Sequence, residues 1–179
     1  VKYIYDPSSK YTSGRRQTIL YSGYKRVIKM LVCIHKDDNV SSMIHLLQIA
    51  KPKKESPLCV FVLQLFELVG SKQAIIAPYD QQDKKALTRT NSNHIITAFQ
   101  RLQKENNDDL RAQHFTSVAP YTSMHDDICS LAFDRSVNII ILPFHQNEGD
   151  DKIIEEFANI RNDNGRVMRH APCSVVVFV

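Results

Sequence analysis

Apolar residues along the chain fall into two alternating patterns, short continuous runs and helical repeats. The continuous runs are rich in β-branched residues and bounded by polar residues, which is typical of strands covered by helices on both faces. The predicted strands are Val27–Ile34, Pro57–Leu68, Gln113–Ala119, Val137–Phe144 and Cys173–Val179. Gln113–Ala119 is shorter and more polar than the others, so we expect it at an edge of the sheet.

Apolar residues three and four positions apart predict an amphipathic helix between each pair of strands. The four predicted apolar stripes are Val40/Met43/Ile44/Leu47, Ile95/Phe99/Leu102, Met124/Ile128/Leu131/Ala132 and Ile153/Ile154/Phe157/Ala158. Ser123 and Asp126 have the spacing of a capping box at the start of the third helix. The fourth helix is expected to break near Asn162–Gly165 and to resume at Arg166–His170. The polar stretch Ser71–Thr90 is long for a connection and is expected to be mobile or to contact a partner.

Strands that alternate with helices predict a parallel sheet with right-handed crossovers and helices on both faces. The predicted fold class is therefore α/β, a three-layer sandwich around a five-stranded parallel sheet, formed by residues 25–179. Residues 1–24 are rich in turn-forming residues and lack periodicity, which indicates a linker. The apolar strand at the last residues indicates a piece of a longer chain.

Composition narrows the class of protein further. A chain of 179 residues with 43% hydrophobic residues fits one domain. The four cysteines, Cys33, Cys59, Cys129 and Cys173, lack metal-like spacing, and three lie in apolar segments, so we expect buried, reduced thiols of a cytosolic domain. The chain has no run of about 18 apolar residues and no signal-peptide pattern, so neither a membrane span nor secretion is predicted.

Positive charge is concentrated at the start of the chain. Residues 1–29 carry a net charge of +6, and the remaining residues carry −2. A basic arm on a near-neutral body fits nucleic acid, anionic lipid or a solvated linker. The body lacks the basic face that phosphate tracking requires, so no nucleic-acid partner is expected. The basic residues of the arm are Lys2, Lys10, Arg15, Arg16, Lys25 and Arg26.

Several ordered motifs carry a resemblance to known families. The ending Val-Met-Arg-His-Ala-Pro-Cys-Ser-Val-Val-Val-Phe-Val (167–179) and the Met-Leu-Val-Cys-Ile strand (30–34) resemble the universal stress protein family. A set of motifs spread over nearly the whole chain resembles the cytosolic C-terminal region of plant cation/proton exchangers, the CHX family. These motifs are Tyr-Asp-Pro-Ser-x-Lys-Tyr (5–11), Leu-Val-Cys-Ile-His (31–35), Ser-Pro-Leu-Cys-Val-Phe-Val-Leu-Gln-Leu (56–65), Pro-Tyr-Thr-Ser-Met-His-Asp-Asp-Ile-Cys-Ser-Leu-Ala (120–132), Ile-Ile-Leu-Pro-Phe-His (140–145) and Ala-Pro-Cys-Ser-Val (171–175).

The resemblance implies a regulatory domain of a plant antiporter that exchanges a monovalent cation, K⁺, for H⁺. The domain would lie on the cytoplasmic side of an endomembrane or the plasma membrane. The full protein would act in potassium and pH homeostasis, and the transport unit would be a bundle of membrane helices preceding this region. The basic arm would then be juxtamembrane and meet anionic lipid headgroups. The implied partners are the antiporter's own transmembrane domain and, through the last strand, a second copy or a downstream domain.

The resemblance also implies a universal-stress-protein-like, Rossmann-like sheet of strand order 3-2-1-4-5. His35 and His145 would then face one crevice, because ligands bind where strand order reverses at the carboxyl ends of parallel strands. We consider these histidines, with His125, as a pH sensor, since histidine titrates near pH ~6.5. The alternative is that they are ordinary loop histidines bonded to backbone or water.

Nucleotide binding of the universal stress type is not expected, and no cofactor is assigned. In that family an acid after the first strand and a Gly-x-x-Gly followed by Gly-Ser/Thr let the backbone approach phosphate. His35 stands at the position of the acid, Pro143 and Gln146 stand at the glycines of Gly-x-x-Gly, and Arg161 and Asn162 replace Gly-Ser/Thr. A stand-alone universal-stress-type nucleotide-binding protein therefore remains only as an alternative.

Catalysis is also not expected. Cys33 or Cys129 with a histidine could suggest a nucleophile, and His35, His145 and Asp37 could suggest a metal. Cys33 lies inside an apolar strand, where a thiol is inert, and the chain has no HExxH, GxSxG or P-loop. A Cys/His or metal-dependent hydrolase is the alternative from a different class.

Overall fold

A computed structural model describes residues 27–68, 75–78, 89–107, 109–144 and 151–178 of the chain. The predicted linker, the basic arm and the predicted site residues His145 and Gln146 lie outside these ranges. The strands are β1 (Ile28–Ile34), β2 (Leu58–Glu67), β3 (Ile75–Pro78), β4 (Leu110–Ala119), β5 (Ile139–Pro143) and β6 (Ser174–Phe178). The helices are α1 (Val40–Ile49), α2 (Arg89–Glu105), α3 (Met124–Asp134) and α4 (Asp151–His170), and a 3₁₀ turn, Asp37–Asn39, precedes α1.

The described strands form one sheet of order β3-β4-β2-β1-β5-β6. Five of them pair in parallel, β4 with β2, β2 with β1, β1 with β5 and β5 with β6. The predicted order 3-2-1-4-5 is therefore confirmed for the five parallel strands. Because parallel strands point the same way, their carboxyl ends share one edge of the sheet, and β1 lies next to β5 there.

One strand was missed by the sequence analysis. Ile75–Pro78 forms β3, which pairs antiparallel with the end of β4. The prediction that β4 lies at an edge is therefore wrong, and the stretch Ser71–Thr90 contains a strand. A four-residue strand within a polar stretch is too short to show a period, so its pairing with β4 decides its structure. β4 also begins at Leu110, three residues before its predicted start, and pairs with β2 over its whole length.

The sheet separates two apolar cores. In β1, Leu31 and Cys33 pack toward α3 and α4, whereas Val32 and Ile34 pack toward α1 and α2. All four side chains are buried, as the predicted three-layer sandwich requires. β5 is likewise buried along its whole length. The predicted stripes of the second and third helices are also buried, with Phe99 and Ile128 completely inaccessible.

α4 is a single helix of 20 residues, so the predicted break near Asn162–Gly165 is wrong. The residues that suggested a break are held by tertiary contacts, which override weak helix propensity. Asn164 is buried, and its Nδ2 donates to the carbonyl of Pro143 at 3.0 Å. The buried face near this point contains Ile160 and Val167, and the predicted stripe residue Ala158 is exposed.

The start of α3 also differs from its prediction. Ser123 occupies the N-cap position but makes no side-chain capping bond. Its Oγ instead donates to the carbonyl of Pro120 at 3.4 Å, and the backbone N–H of Met124 bonds the same carbonyl at 3.0 Å. The turn before the helix is therefore closed by Pro120, not by a capping box.

Candidate functional site

The carboxyl end of β1 opens into a cavity of about 310 Å³. His35 and Lys36 line it, together with Gln64 and Phe66 of β2 and Ile95 of α2. The Nζ of Lys36 lies 4.7 Å from the ring centroid of Phe157 on α4, a cation–π contact that ties the loop after β1 to that helix. His35 is half-buried, and the cavity lies on the β2 side of β1, not between β1 and β5. The predicted crevice that His35 would share with His145 stays a prediction, because His145 lies outside the described residues.

The described positions of the nucleotide pattern do not form a phosphate cradle. Pro143 is the buried last residue of β5 and has no backbone N–H to offer. Arg161 and Asn162 lie in the middle of α4, where backbone N–H groups bond within the helix. With His35 in place of an acid, these residues do not fit a nucleotide of the universal stress type.

His125 lies apart from the cavity, in the first turn of α3, and its ring faces α4. Its Nδ1 is 3.7 Å from Oδ1 of Asp163, and its ring centroid is 5.9 Å from that of His170. Nε2 is 3.9 Å from Oδ2 of Asp126. His35 and Ile95 line the same cavity, and Ile95 packs on the opposite face of the sheet from α3 and α4. The structure therefore does not bring His125 to the part of the cavity that His35 and Ile95 line.

Asp163 is the residue that sequence reasoning missed. Its relative exposure is 0%, and within the described part of the chain neither carboxylate oxygen has a hydrogen-bond partner of ordinary geometry. Burial raises the pKa of Asp163 to about 7, although the backbone N–H of His125, which approaches the carboxylate as a hydrogen-bond donor outside ordinary geometry, and the positive charge of Arg166 oppose the rise. Helical spacing could have revealed this residue, because it lies three positions after Ile160 and four before Val167, within an apolar stripe.

The surroundings of His125 also change its own proton affinity. Burial lowers the pKa of His125, and the carboxylate of Asp126 is the main opposing influence. Arg166 bonds the carbonyls of Tyr121 and Thr122 at 3.5 and 3.0 Å, which fastens α4 to the turn before α3. Burial therefore favours the neutral form of both side chains, the protonated carboxyl of Asp163 and the uncharged imidazole of His125.

Asp127, the next residue of α3, is tied to the sheet. The Oγ of Ser117 on β4 donates to Oδ2 of Asp127 at 2.6 Å. Burial raises the pKa of Asp127, and the bond from Ser117 partly offsets the rise. This contact ties the first turn of α3 to β4.

The cysteines are structural. All four are free, and Cys33, Cys129 and Cys173 are buried. Burial raises the pKa of Cys129 and of Cys173 to about 12 and raises that of Cys33 well above its ordinary value. A thiolate nucleophile is therefore unavailable at these positions near neutral pH. Among the residues described, no three His, Cys, Asp or Glu side chains cluster as a metal site requires.

The fold of this domain is shared with solved structures. Universal stress protein UspA from Lactobacillus plantarum superposes with a TM-score of 0.50 at 14% identity, covering 86% of this chain and 99% of that one. The hypothetical protein MJ0577 gives a TM-score of 0.51 at 16% identity, covering 86% and 94%. The domain therefore has a universal-stress-protein-like fold.

Sequence comparison assigns the family. The family model for the plant cation/H(+) antiporter domain matches residues 60–179. Cation/H(+) antiporter 14 of Arabidopsis thaliana is 39% identical over 98% of the chain, and cation/H(+) symporter 13 of the same plant is 38% identical over 100%. The chain belongs to the plant cation/H(+) antiporter family, which confirms the predicted resemblance. It spans about a fifth of the length of these relatives, 22% of each. None of the described helices combines the length and the apolar character needed to span a membrane.

Proposed function

We propose that this chain is the cytosolic regulatory domain of a plant cation/H⁺ antiporter, with K⁺ as the cation that the family resemblance implies. The proposal rests on one observation: 98–100% of this chain matches about a fifth of the length of proteins named cation/H(+) antiporter or symporter. The described residues hold no helix able to cross a membrane, so the proposed role is to bias a transport unit elsewhere in the protein.

The proposed mechanism is sensing, docking or self-association. The basic arm, attracted to anionic headgroups by roughly 1 kcal/mol per Lys or Arg, would hold the domain close to the membrane and to the transmembrane domain. β6 is the last strand on its side of the described sheet, with Val176 40% exposed, so it offers an edge to a second copy or a downstream domain.

A nucleotide-binding role finds less support than regulation without nucleotide. The described counterparts of the phosphate-binding positions are a proline and two residues inside α4. A hydrolase role is likewise disfavoured, since burial raises the pKa of the cysteine thiols and suppresses the nucleophilic form.

The experiment that tests this proposal compares full antiporter with antiporter lacking this chain, each reconstituted in vesicles in equal amounts and orientation. K⁺-driven proton flux is measured across a range of pH on the side exposed to the domain. We expect the truncated protein to retain cation selectivity but to lose part of the pH dependence of its rate. Identical rate profiles with and without the chain would refute a regulatory role, and loss of all flux from correctly inserted protein would show that the chain is part of the transport unit.

A further inference from the structure

The contact between the first turn of α3 and the middle of α4, here called the α3–α4 seam, contains an unusual polar group. Asp163 is completely inaccessible, lacks ordinary hydrogen bonds among the described residues, and lies between Ile160 and Val167 on an apolar face. An ionised carboxylate in such a place is costly unless a partner compensates for lost hydration. The titratable group that approaches it is His125, with Nδ1 at 3.7 Å from Oδ1.

Charged and titratable groups face this pair from every packed element. The first turn of α3 supplies Asp126 and Asp127, and α4 supplies Arg166 and His170. The remaining titratable neighbours of Asp163 are two thiols, which are neutral here: Cys33 of β1 and Cys129 of α3. The Nη1 of Arg166 donates to the carbonyls of Tyr121 and Thr122, and its positive charge lowers the pKa of Asp163 by less than burial raises it.

His125 gives the buried acid a route to solvent. The side chain of His125 is 15% exposed, whereas that of Asp163 is 0% exposed. The imidazole therefore has one side toward water and the other toward the carboxylate. The two atoms would have to approach by about 0.5 Å to form a hydrogen bond, through which a proton on Oδ1 of Asp163 can pass to the lone pair of Nδ1. The imidazolium formed in this way can then release its other proton, from Nε2, to water. The two arrangements are alternative forms of one singly protonated pair.

We propose that His125 and Asp163 hold one shared, exchangeable proton, and that loss of this proton as pH rises loosens the α3–α4 seam. With the proton in place, the pair is either two neutral groups or an ion pair, and both are compatible with burial. Without it, an ionised carboxylate remains that is inaccessible to water and has no hydrogen bond of ordinary geometry among the described residues, and its hydration requires α3 and α4 to separate locally. Burial raises the pKa of Asp163 to about 7, which puts the release of the proton in the neutral range.

The seam has a geometry that could transmit this change. The turn before α3 follows β4 directly, and Ser117 of β4 is bonded to Asp127 next to the seam. Opening at His125 would therefore act on the carboxyl edge of the sheet, where α4 also begins. Use of this opening by an antiporter rests on the proposed function, whereas the proton binding is a property of the described residues.

The test is an NMR titration of the 179-residue chain between pH 4 and pH 9, observing the Asp163 carboxyl carbon and the His125 ring. We expect both signals to move together in a transition near pH 7, because they report the same proton. In His125→Gln the Asp163 carboxyl signal should show one transition that no ring signal follows, because no imidazole is left at position 125. In the control His45→Gln, at an exposed histidine, the joint transition of Asp163 and His125 should be unchanged.

Amide hydrogen exchange on the wild-type chain measures opening of the seam. After correction for intrinsic rates, amides of the first turn of α3 should exchange about tenfold faster at pH 8 than at pH 6, since the protonated fraction falls about tenfold for a midpoint near 7. Amides of β2 should not change and serve as the internal reference. A carboxyl midpoint near that of free aspartate, or equal protection of the α3 amides at both pH values, would overturn the proposal. Its failure would leave the proposed regulatory role standing, since docking and self-association do not require this proton.

Discussion

The substitution Asp163→Asn tests the energetic cost of the buried carboxylate. Asparagine keeps the size of the side chain and, like a protonated acid, carries no charge. The pKa of Asp163 is raised from 3.8 to about 7, so the folded state holds a proton that the unfolded chain has already released. Stability from this group is therefore complete below about pH 4 and is lost as pH rises toward 7.

The size of the effect follows from proton linkage. Between pH 5 and pH 7 the folded chain binds about one proton more than the unfolded chain, and each pH unit is worth about 1.36 kcal/mol. The free energy of unfolding of the wild type should therefore fall by up to about 2.7 kcal/mol relative to Asp163→Asn over this range. Water that enters the opened seam hydrates the carboxylate, so about 2 kcal/mol is the expected difference. His125 acts in the opposite direction below pH ~6.5, because its pKa is lowered, but it is present in both proteins.

Urea unfolding at pH 5, 6, 7 and 8, followed by far-UV circular dichroism because the chain has no Trp, gives these free energies. Asp163→Asn should be within about 1 kcal/mol of the wild type at pH 5 and more stable than it at pH 8. Asp134→Asn, at an exposed aspartate of α3, should follow the wild type throughout. If the difference between Asp163→Asn and wild type is constant with pH, the carboxylate is not protonated in the folded state and the reasoning fails.

Four further predictions can be tested. Gly165→Ala should raise the free energy of unfolding by about 0.5–1 kcal/mol, because a Cβ there meets no described atom within 4 Å and the helix is continuous; a loss of stability would contradict this. Phe99→Ala should cost about 3–5 kcal/mol in urea unfolding, whereas Phe133→Ala, at a side chain 48% exposed, should cost about 1 kcal/mol or less; equal costs would refute the assigned core. In flotation assays the chain should bind vesicles rich in phosphatidylserine more strongly than neutral ones, and replacing the six basic residues of the arm with glutamine should remove the difference. Mg-ATP should leave the melting temperature unchanged, and a saturable rise would restore the nucleotide-binding alternative.

The parts of the fold that the sequence predicted are those in which one pattern dominates. β1 and β5 are continuous apolar runs, and the stripes of α2 and α3 keep a helical period, so their burial follows from pattern alone. The missed features depend on distant partners. β3 is a strand because it pairs with β4. α4 is unbroken because Asn164 donates a hydrogen bond to the carbonyl of Pro143, which lies 21 residues away in sequence.

The candidate site shows the same division. Topology predicted a crevice between β1 and β5, whereas the cavity that His35 lines lies between β1, β2 and α2. It did not predict that His125 would lie against α4, because the crossing of two helices fixes that contact and no sequence period encodes it. The polar residues near the middle of α4 looked like a helix break when taken as local signals. Taken against the period set by Ile160 and Val167, the acid among them falls on the buried face.

The burial of Asp163 and the loss of a phosphate-binding loop have a common structural origin, the continuity of α4. Arg161 and Asn162 occupy the positions at which the universal-stress-type pattern carries Gly-Ser/Thr, and such a cradle requires backbone N–H groups free to meet phosphate. Here α4 begins at Asp151, ten residues before Arg161, so these N–H groups are inside a helix. The same continuous helix places Asp163 one position further on, where its side chain must face α3. A chain in which residues 161–162 formed a loop would release the carboxylate to solvent. Continuity of α4 therefore both removes free backbone N–H groups at residues 161–162 and buries the Asp163 carboxylate at the seam, so that the proposed regulatory role finds more support with protons as its signal than with nucleotides.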